Sequence, residues 1–89
     1  MLSSFIKDHN RWRKAMGKRR ITKSGMTAED AQELADFINS GLSPENLHQD
    51  GEAPSGYAGR RYSYLKVAGI ELQRQCKANG LPMPIIMEA

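Results

Sequence analysis

The residues best suited to catalysis or metal binding are Cys76, His9 and His48, and their pattern favours neither. A cysteine nucleophile needs a histidine base, but Cys76 lies on the apolar face of a predicted helix, which favours a buried, unreactive thiol. The histidines are far apart in the sequence, and neither has a second histidine four residues on, as a helical zinc site has. Gly56 and Gly59 follow no strand, which excludes a dinucleotide-binding loop. We therefore expect no enzyme, solvated histidines, no metal and no cofactor.

Trp12 stands among arginines and lysines, a composition typical of binding surfaces. Arginine binds phosphates and an aromatic ring stacks on bases, so the two together suit nucleic acid. The same residue types also form hot spots for protein binding. A third interpretation is that Trp12 simply anchors a small core. A second cluster, of arginine and tyrosine, lies in residues 57–64. The residues that we predict to bind a protein partner or nucleic acid are Arg11, Trp12, Arg13, Lys14, Lys18, Arg19, Arg20, Arg60, Arg61 and Tyr64.

Charge is segregated along the chain, which has a net charge of +3. Residues 1–25 hold eight lysines and arginines against one aspartate, whereas residues 26–55 hold seven carboxylates and no lysine or arginine. Residues 56–89 are again basic. Two interpretations stay open: the basic first segment folds back on the acidic middle, within one chain or across a dimer, or it projects toward an anionic partner.

The length of 89 residues allows one small domain with a thin core. A single cysteine excludes an internal disulfide framework and fits a reducing compartment. The sequence contains no apolar run long enough to span a membrane, and the N-terminal residues lack a secretory pattern. We therefore expect a cytoplasmic protein without a membrane partner.

Local signals predict a mainly α fold of three helices, with a basic N-terminal helix and a short apolar C-terminal tail. The first helix runs from about Ser4 to Met16 or Lys18 and ends near Gly17. Its apolar face is predicted to carry Leu2, Phe5, His9, Trp12 and Met16.

The second helix is predicted over residues 28–40, with Thr27 and Asp30 as a near capping box and Gly41 as the left-handed stop. Its apolar stripe is Ala31, Leu34, Ala35 and Ile38.

The third helix follows a predicted capped turn at residues 43–47 and a loop, and it ends at Asn79-Gly80. Its stripe includes Tyr62, Leu65, Leu72 and Cys76, so the last two helices are expected to form a hairpin. We therefore expect one domain made of a basic arm (residues 1–25), a helical hairpin (residues 26–81) and a tail (residues 82–89).

The segment Gly41-Leu42-Ser43-Pro44-Glu45-Asn46-Leu47-His48-Gln49-Asp50-Gly51-Glu52, followed by a helix rich in arginine and tyrosine, resembles a pattern in small bacteriophage accessory proteins. The resemblance covers about residues 30–79 and consists of a helix stop, a capped turn and a helix start. It implies phage origin, and with it a place in the host cytoplasm, and a helical hairpin. No catalytic residue carries over from it, and the basic arm lies outside it.

We therefore expect a non-enzymatic accessory protein that binds a host macromolecular complex and modulates or inhibits it. A protein target is preferred over nucleic acid because the carboxylates within residues 29–52 would repel nucleic acid from part of the surface. The alternative is a DNA- or RNA-binding protein that uses the basic arm. A symmetric homodimer is a further expectation, with the acidic middle of one copy against the basic arm of the other.

Overall fold

The computed structural model describes residues 1–43 and 55–87, with side chains described for 1–43 and 61–87. Three helices follow one another: α1 (Leu2–Ala15), α2 (Ala28–Leu42) and α3 (Ser55–Ala78). The described ranges contain no strand, so the predicted mainly α class is confirmed. The predicted capped turn after α2 lies outside the described residues. No helix in the described ranges combines the length and apolar character needed to cross a membrane.

The start of α2 has the predicted capping box. The Asp30 backbone N–H donates to Thr27 Oγ1 at 3.1 Å, and the Thr27 N–H donates to Asp30 Oδ2 at 3.0 Å. Aspartate thus performs the role that glutamate or glutamine usually has at this position. This reciprocal pair fixes the orientation of the Asp30 carboxylate at the first turn of the helix.

Two of the predicted glycine stops are confirmed. Gly17 and Gly80 have φ values of 74° and 71°, a left-handed conformation that glycine adopts without steric cost. After each glycine the chain reverses: the Lys18 N–H donates to the Arg13 carbonyl at 2.8 Å, and the Leu81 N–H donates to the Cys76 carbonyl at 2.8 Å. These bonds define a Schellman motif at the ends of both α1 and α3.

The predicted stop at Gly41 is wrong, because α2 continues through Gly41 to Leu42. A β-carbon on Gly41 would lie only 2.6 Å from Leu65 Cδ1 of α3. Glycine is therefore needed here for the close approach of two helices, and the left-handed conformation expected at a helix end does not occur.

The core lies mainly between α2 and α3, which pack as the predicted hairpin. Leu34, Ile38, Leu65 and Leu72 are all buried, and Cys76 is buried beside them, as predicted. From the N-terminal segment, Leu2, Ile6, Ile21 and Met26 join the same core.

The predicted apolar face of α1 is partly wrong. The structure buries Leu2, Ile6, His9 and Arg13, whereas Trp12 and Met16 are exposed. The helix is rotated relative to the prediction because α2 supplies carboxylates that pair with Arg13, which makes a charged residue acceptable at a buried position.

The C-terminal residues 81–87 have no regular secondary structure and run against α2 and α3. The Asn39 side chain donates to the Ile85 carbonyl at 2.9 Å and accepts from the Met87 N–H at 2.6 Å. Ile86 packs against Gly69, where a β-carbon would lie 2.8 Å from Ile86 Cγ2. The described part of the tail thus contacts α2 and α3 of its own chain.

Candidate functional site

Two carboxylates in the first turns of α2 bind basic residues of α1 and of the segment after it. We call this set the ion-pair network. Arg13 pairs with Glu33 and lies 3.9 Å from Asp30, and Arg19 pairs with Asp30. Lys18 Nζ lies 3.3 Å from Glu33 Oε1. The basic first segment therefore folds back on part of the acidic middle within one chain.

His9 extends this network into the interior. Its Nε2 lies 2.7 Å from Glu33 Oε2, and its side chain is almost completely buried. The expectation of a solvated histidine at this position is therefore wrong. Burial is tolerated because Glu33 supplies the hydrogen-bond partner that the ring would otherwise find in water.

The ion-pair network lowers the pKa values of both carboxyl groups. Burial raises the pKa of Glu33, but the hydrogen bonds from His9, Arg13 and Lys18 outweigh it and bring this pKa down to about 2. For Asp30, burial is likewise outweighed by the Thr27 N–H and by the Arg19 guanidinium, so its pKa is also lowered. Both groups are charged at neutral pH, and their charge is compensated inside the fold.

Asn10 fixes the segment after α1 against the helix. Its side-chain amide donates to the Ile21 carbonyl at 2.9 Å, and its carbonyl oxygen accepts from the Ile21 N–H at 2.8 Å. Ile21 itself is buried in the core. Residue 21 lies between α1 and α2, and this clamp fixes the backbone directly after Arg20.

The opposite face of α1 carries a cleft of about 370 Å³ whose lining residues, apart from Asn10, are lysines and arginines; their carbon stems form most of its wall, and we call it the basic cleft. Its lining residues are Lys7, Asn10, Arg11, Lys14, Lys18 and Arg20. Within the described residues, no carboxylate lies at ion-pair distance from Lys7, Lys14 or Arg20, while Arg11 lies 3.8 Å from the exposed Asp8. The basic cleft therefore concentrates positive charge that the described fold leaves largely uncompensated.

A second cleft, of about 330 Å³, lies where all three helices meet, and we call it the aromatic cleft. Its lining residues are Phe5, Asp8, His9, Trp12, Phe37, Arg61, Tyr64 and Leu65. His9 is at the centre of the rings, with its centroid 5.3 Å from that of Trp12 and 4.4 Å from that of Phe37. Trp12 and Phe37 remain 39% and 41% exposed, so this cleft presents aromatic surface to solvent.

The structure thus distributes the predicted binding residues over three places. Arg13 and Arg19 belong to the ion-pair network; Arg11, Lys14 and Arg20 belong to the basic cleft; and Lys18 belongs to both. Trp12, Arg61 and Tyr64, from separate sequence clusters, come together in the aromatic cleft. The side chain of Arg60 lies outside the described residues.

Sequence reasoning missed Lys7, Asn10 and Phe37 as site residues. Lys7 carried a usable signal, because it precedes Arg11 and Lys14 at spacings of four and seven on one helix face. Phe37 lies off the apolar stripe of α2, and a large aromatic residue outside a core stripe is itself a sign of a surface contact. Asn10 gave no signal, because its partner Ile21 is eleven residues away.

The described part of the chain shows neither a cluster of metal ligands nor an exposed thiol. No three histidine, cysteine, aspartate or glutamate side chains there are grouped as metal ligands would be. The Cys76 thiol is fully buried, and burial raises its pKa, which disfavours the reactive thiolate.

No protein-family model, curated protein or solved structure matches this chain.

Proposed function

We propose that this is a non-enzymatic protein that binds nucleic acid through the basic cleft. The observation that carries the proposal is the convergence of five cationic side chains on one cleft, of which Lys7, Lys14 and Arg20 have no described carboxylate partner. Lysine and arginine clusters of this kind bind successive phosphates and release their counterions. Phosphate is thus the ligand chemistry best matched to this surface.

The acidic middle of the chain opposes this binding less than its sequence suggests. Asp30 and Glu33 are engaged by Arg13, Arg19 and Lys18 in the ion-pair network, so much of their charge is already compensated. This weakens the electrostatic reason for preferring a protein target. The network also divides the cations by role: Arg13 and Arg19 maintain the fold, the unpaired cations of the basic cleft are available to a ligand, and Lys18 contributes to both.

The test is fluorescence anisotropy of labelled DNA and RNA over a series of salt concentrations. Replacing Lys14 and Arg20 together by alanine removes two cations of the basic cleft. The matched control replaces Arg74 and Lys77, two exposed cations of α3, and changes the net charge by the same amount.

We expect wild-type binding to be tight at low salt and steeply salt-dependent. The Lys14/Arg20 variant should bind more weakly, with the slope of log K against log salt flatter by about 1.4–1.8, as expected for two lost phosphate contacts. The Arg74/Lys77 variant should keep the wild-type slope. Absence of binding at low salt, or equal losses in the two variants, would overturn the proposal.

The second candidate function is binding of a host protein by a phage-type accessory protein that modulates or inhibits it. The observation favouring it is the aromatic cleft, because half-exposed aromatic residues beside an arginine are typical of protein-binding hot spots. The charge-driven homodimer also stays a prediction, and sedimentation at low salt tests it.

A pull-down from bacterial lysate, with and without nuclease, separates the two candidates. A protein partner that survives nuclease and is lost on Trp12→Ala and on Arg61→Ala would favour the second function. Loss of every partner on nuclease treatment would favour the first.

A further inference from the structure

We infer that the basic cleft takes a single strand of nucleic acid, and that one unpaired base of this strand stacks on Trp12. The inference rests on the nucleic-acid-binding function proposed above and specifies its ligand. Two observations support it: Lys18 connects the basic cleft to the exposed ring of Trp12, and neighbouring rings fix the position of that ring.

Lys18 joins the two surfaces. Its side chain lines the basic cleft, and its Nζ lies 5.1 Å from the centroid of the Trp12 ring. The exposed ring of Trp12 therefore lies next to the Lys18 end of the basic cleft. A strand with one phosphate at Lys18 has its next base within reach of Trp12. Lysine is long and flexible, so its ammonium can leave both the ring and Glu33 Oε1, which lies 3.3 Å away, and move to that phosphate as the base arrives.

The Trp12 ring is held in place before any ligand binds. It stacks on His9 with an interplanar angle of 25°, and it contacts the Phe37 ring in a tilted arrangement with the two centroids 5.0 Å apart. His9 is in turn fixed by Glu33. A ring held in this way that still exposes 39% of its surface loses little freedom when a base stacks on it.

The combination of a cationic groove with an exposed aromatic ring distinguishes a single strand from a duplex. In a duplex each base face is covered by its neighbours, so the bases offer no face to a protein ring and only the phosphates are accessible. An unpaired base offers its face, and stacking on aromatic side chains is the usual way in which single strands are bound without sequence preference.

The chain provides its own reporter, because Trp12 is its one tryptophan. The full-length protein is titrated with a short single-stranded oligonucleotide of thymines, with a duplex of the same length, and with inorganic polyphosphate, which has the charge but no bases. We expect the single strand to bind more tightly than the duplex and to quench the tryptophan emission. Polyphosphate should bind with little quenching.

Two variants test the role of the ring, and because neither contains a tryptophan, their affinities are measured beside the wild type by isothermal titration calorimetry. Trp12→Ala should weaken single-strand binding by about 5- to 150-fold, the fold-change corresponding to about 1–3 kcal/mol per stacked base. Trp12→Phe keeps an aromatic face and should retain most of the affinity. Unchanged affinity of Trp12→Ala for polyphosphate shows that the basic cleft is still folded.

The outcomes separate this inference from the proposed function. If single strand, duplex and polyphosphate bind equally and Trp12→Ala changes nothing, the stacking inference is overturned while nucleic-acid binding stands. If no nucleic acid binds at low salt, both are overturned. Tighter binding of an acidic polypeptide such as polyglutamate than of the single strand would also overturn the inference and favour a protein ligand.

Discussion

Arg13 of α1 and Glu33 of α2 form an ion pair between two helices, with the arginine side chain only 8% exposed. Glu33 also accepts from the buried His9 and lies near Lys18, so one carboxylate satisfies three basic side chains. This pair determines the orientation of α1. With Arg13 turned inward toward Glu33, Trp12 and the cations on the other side of the helix are turned toward solvent.

Replacing Glu33 by glutamine should destabilise the protein more than any exposed carboxylate replacement. The change leaves Arg13 charged and nearly buried with only the more distant Asp30, at 3.9 Å, as a carboxylate partner, so we expect a loss of about 2–4 kcal/mol, somewhat less than breaking a fully buried ion pair costs. Urea unfolding measures it. The matched control is Asp36→Asn on the same helix, where the exposed carboxylate contacts only Gln32 among the described residues and the change should stay within about 0.5 kcal/mol. Equal losses in both variants would contradict the role of Glu33.

Stability should fall in acid because of the same carboxylate. The pKa of Glu33 is about 2 in the fold against an ordinary value of 4.5, so on acidification the unfolded chain takes up a proton before the folded chain does. The stabilisation is thus complete above about pH 4.5 and is lost as the pH falls toward 2. We expect a decrease of about 1–3 kcal/mol over this range, measured by urea unfolding at several pH values. Glu33→Gln should show a clearly smaller decrease, and an equal one would argue against this cause.

The close approach of α2 and α3 at Gly41 should not tolerate a methyl group. Gly41→Ala places a β-carbon 2.6 Å from Leu65 Cδ1, and Leu65 is enclosed in the core. We expect a net loss of about 1–2 kcal/mol, since overpacking outweighs the better helix propensity of alanine. Leu65→Ala alone should cost about 2–5 kcal/mol. Because the second change makes room for the first, the double variant should lose less than the sum of the two. Simple additivity in thermal or urea unfolding would show that the two residues are not in contact.

The Asn10 clamp should control the mobility of the segment after α1. Asn10→Ala removes both hydrogen bonds to the Ile21 backbone, which leaves buried polar groups unpaired and should cost about 1–3 kcal/mol. Amide hydrogen exchange at Ile21 should become faster, while Gln32→Ala, at an exposed position of α2, should leave it unchanged. Unchanged exchange at Ile21 in the Asn10 variant would show that the burial of the Ile21 side chain is enough to hold the segment in place.

Local patterns in the sequence were enough to predict much of the fold. The capping box of Thr27 and Asp30, and the stops at Gly17 and Gly80, depend on a few neighbouring residues, so they could be identified without tertiary information. The apolar stripes of α2 and α3 were equally readable, because both helices bury one regular face against each other. Gly41 was misassigned for the opposite reason: its role is a contact with Leu65, which no local pattern encodes.

For the candidate site, the sequence by itself determined which residues are basic, acidic or aromatic and that the basic ones gather near the N-terminus. Only the tertiary structure decided which of these charges are compensated. Arg13 and Arg19 are neighbours of Lys14 and Arg20 in the chain, yet the first two pair with α2 and the other two line the basic cleft. The physical reason is that a charge is compensated by whatever lies within a few ångströms of it in space. That distance is set by the packing of α1 on α2, which the order of residues in one helix does not specify.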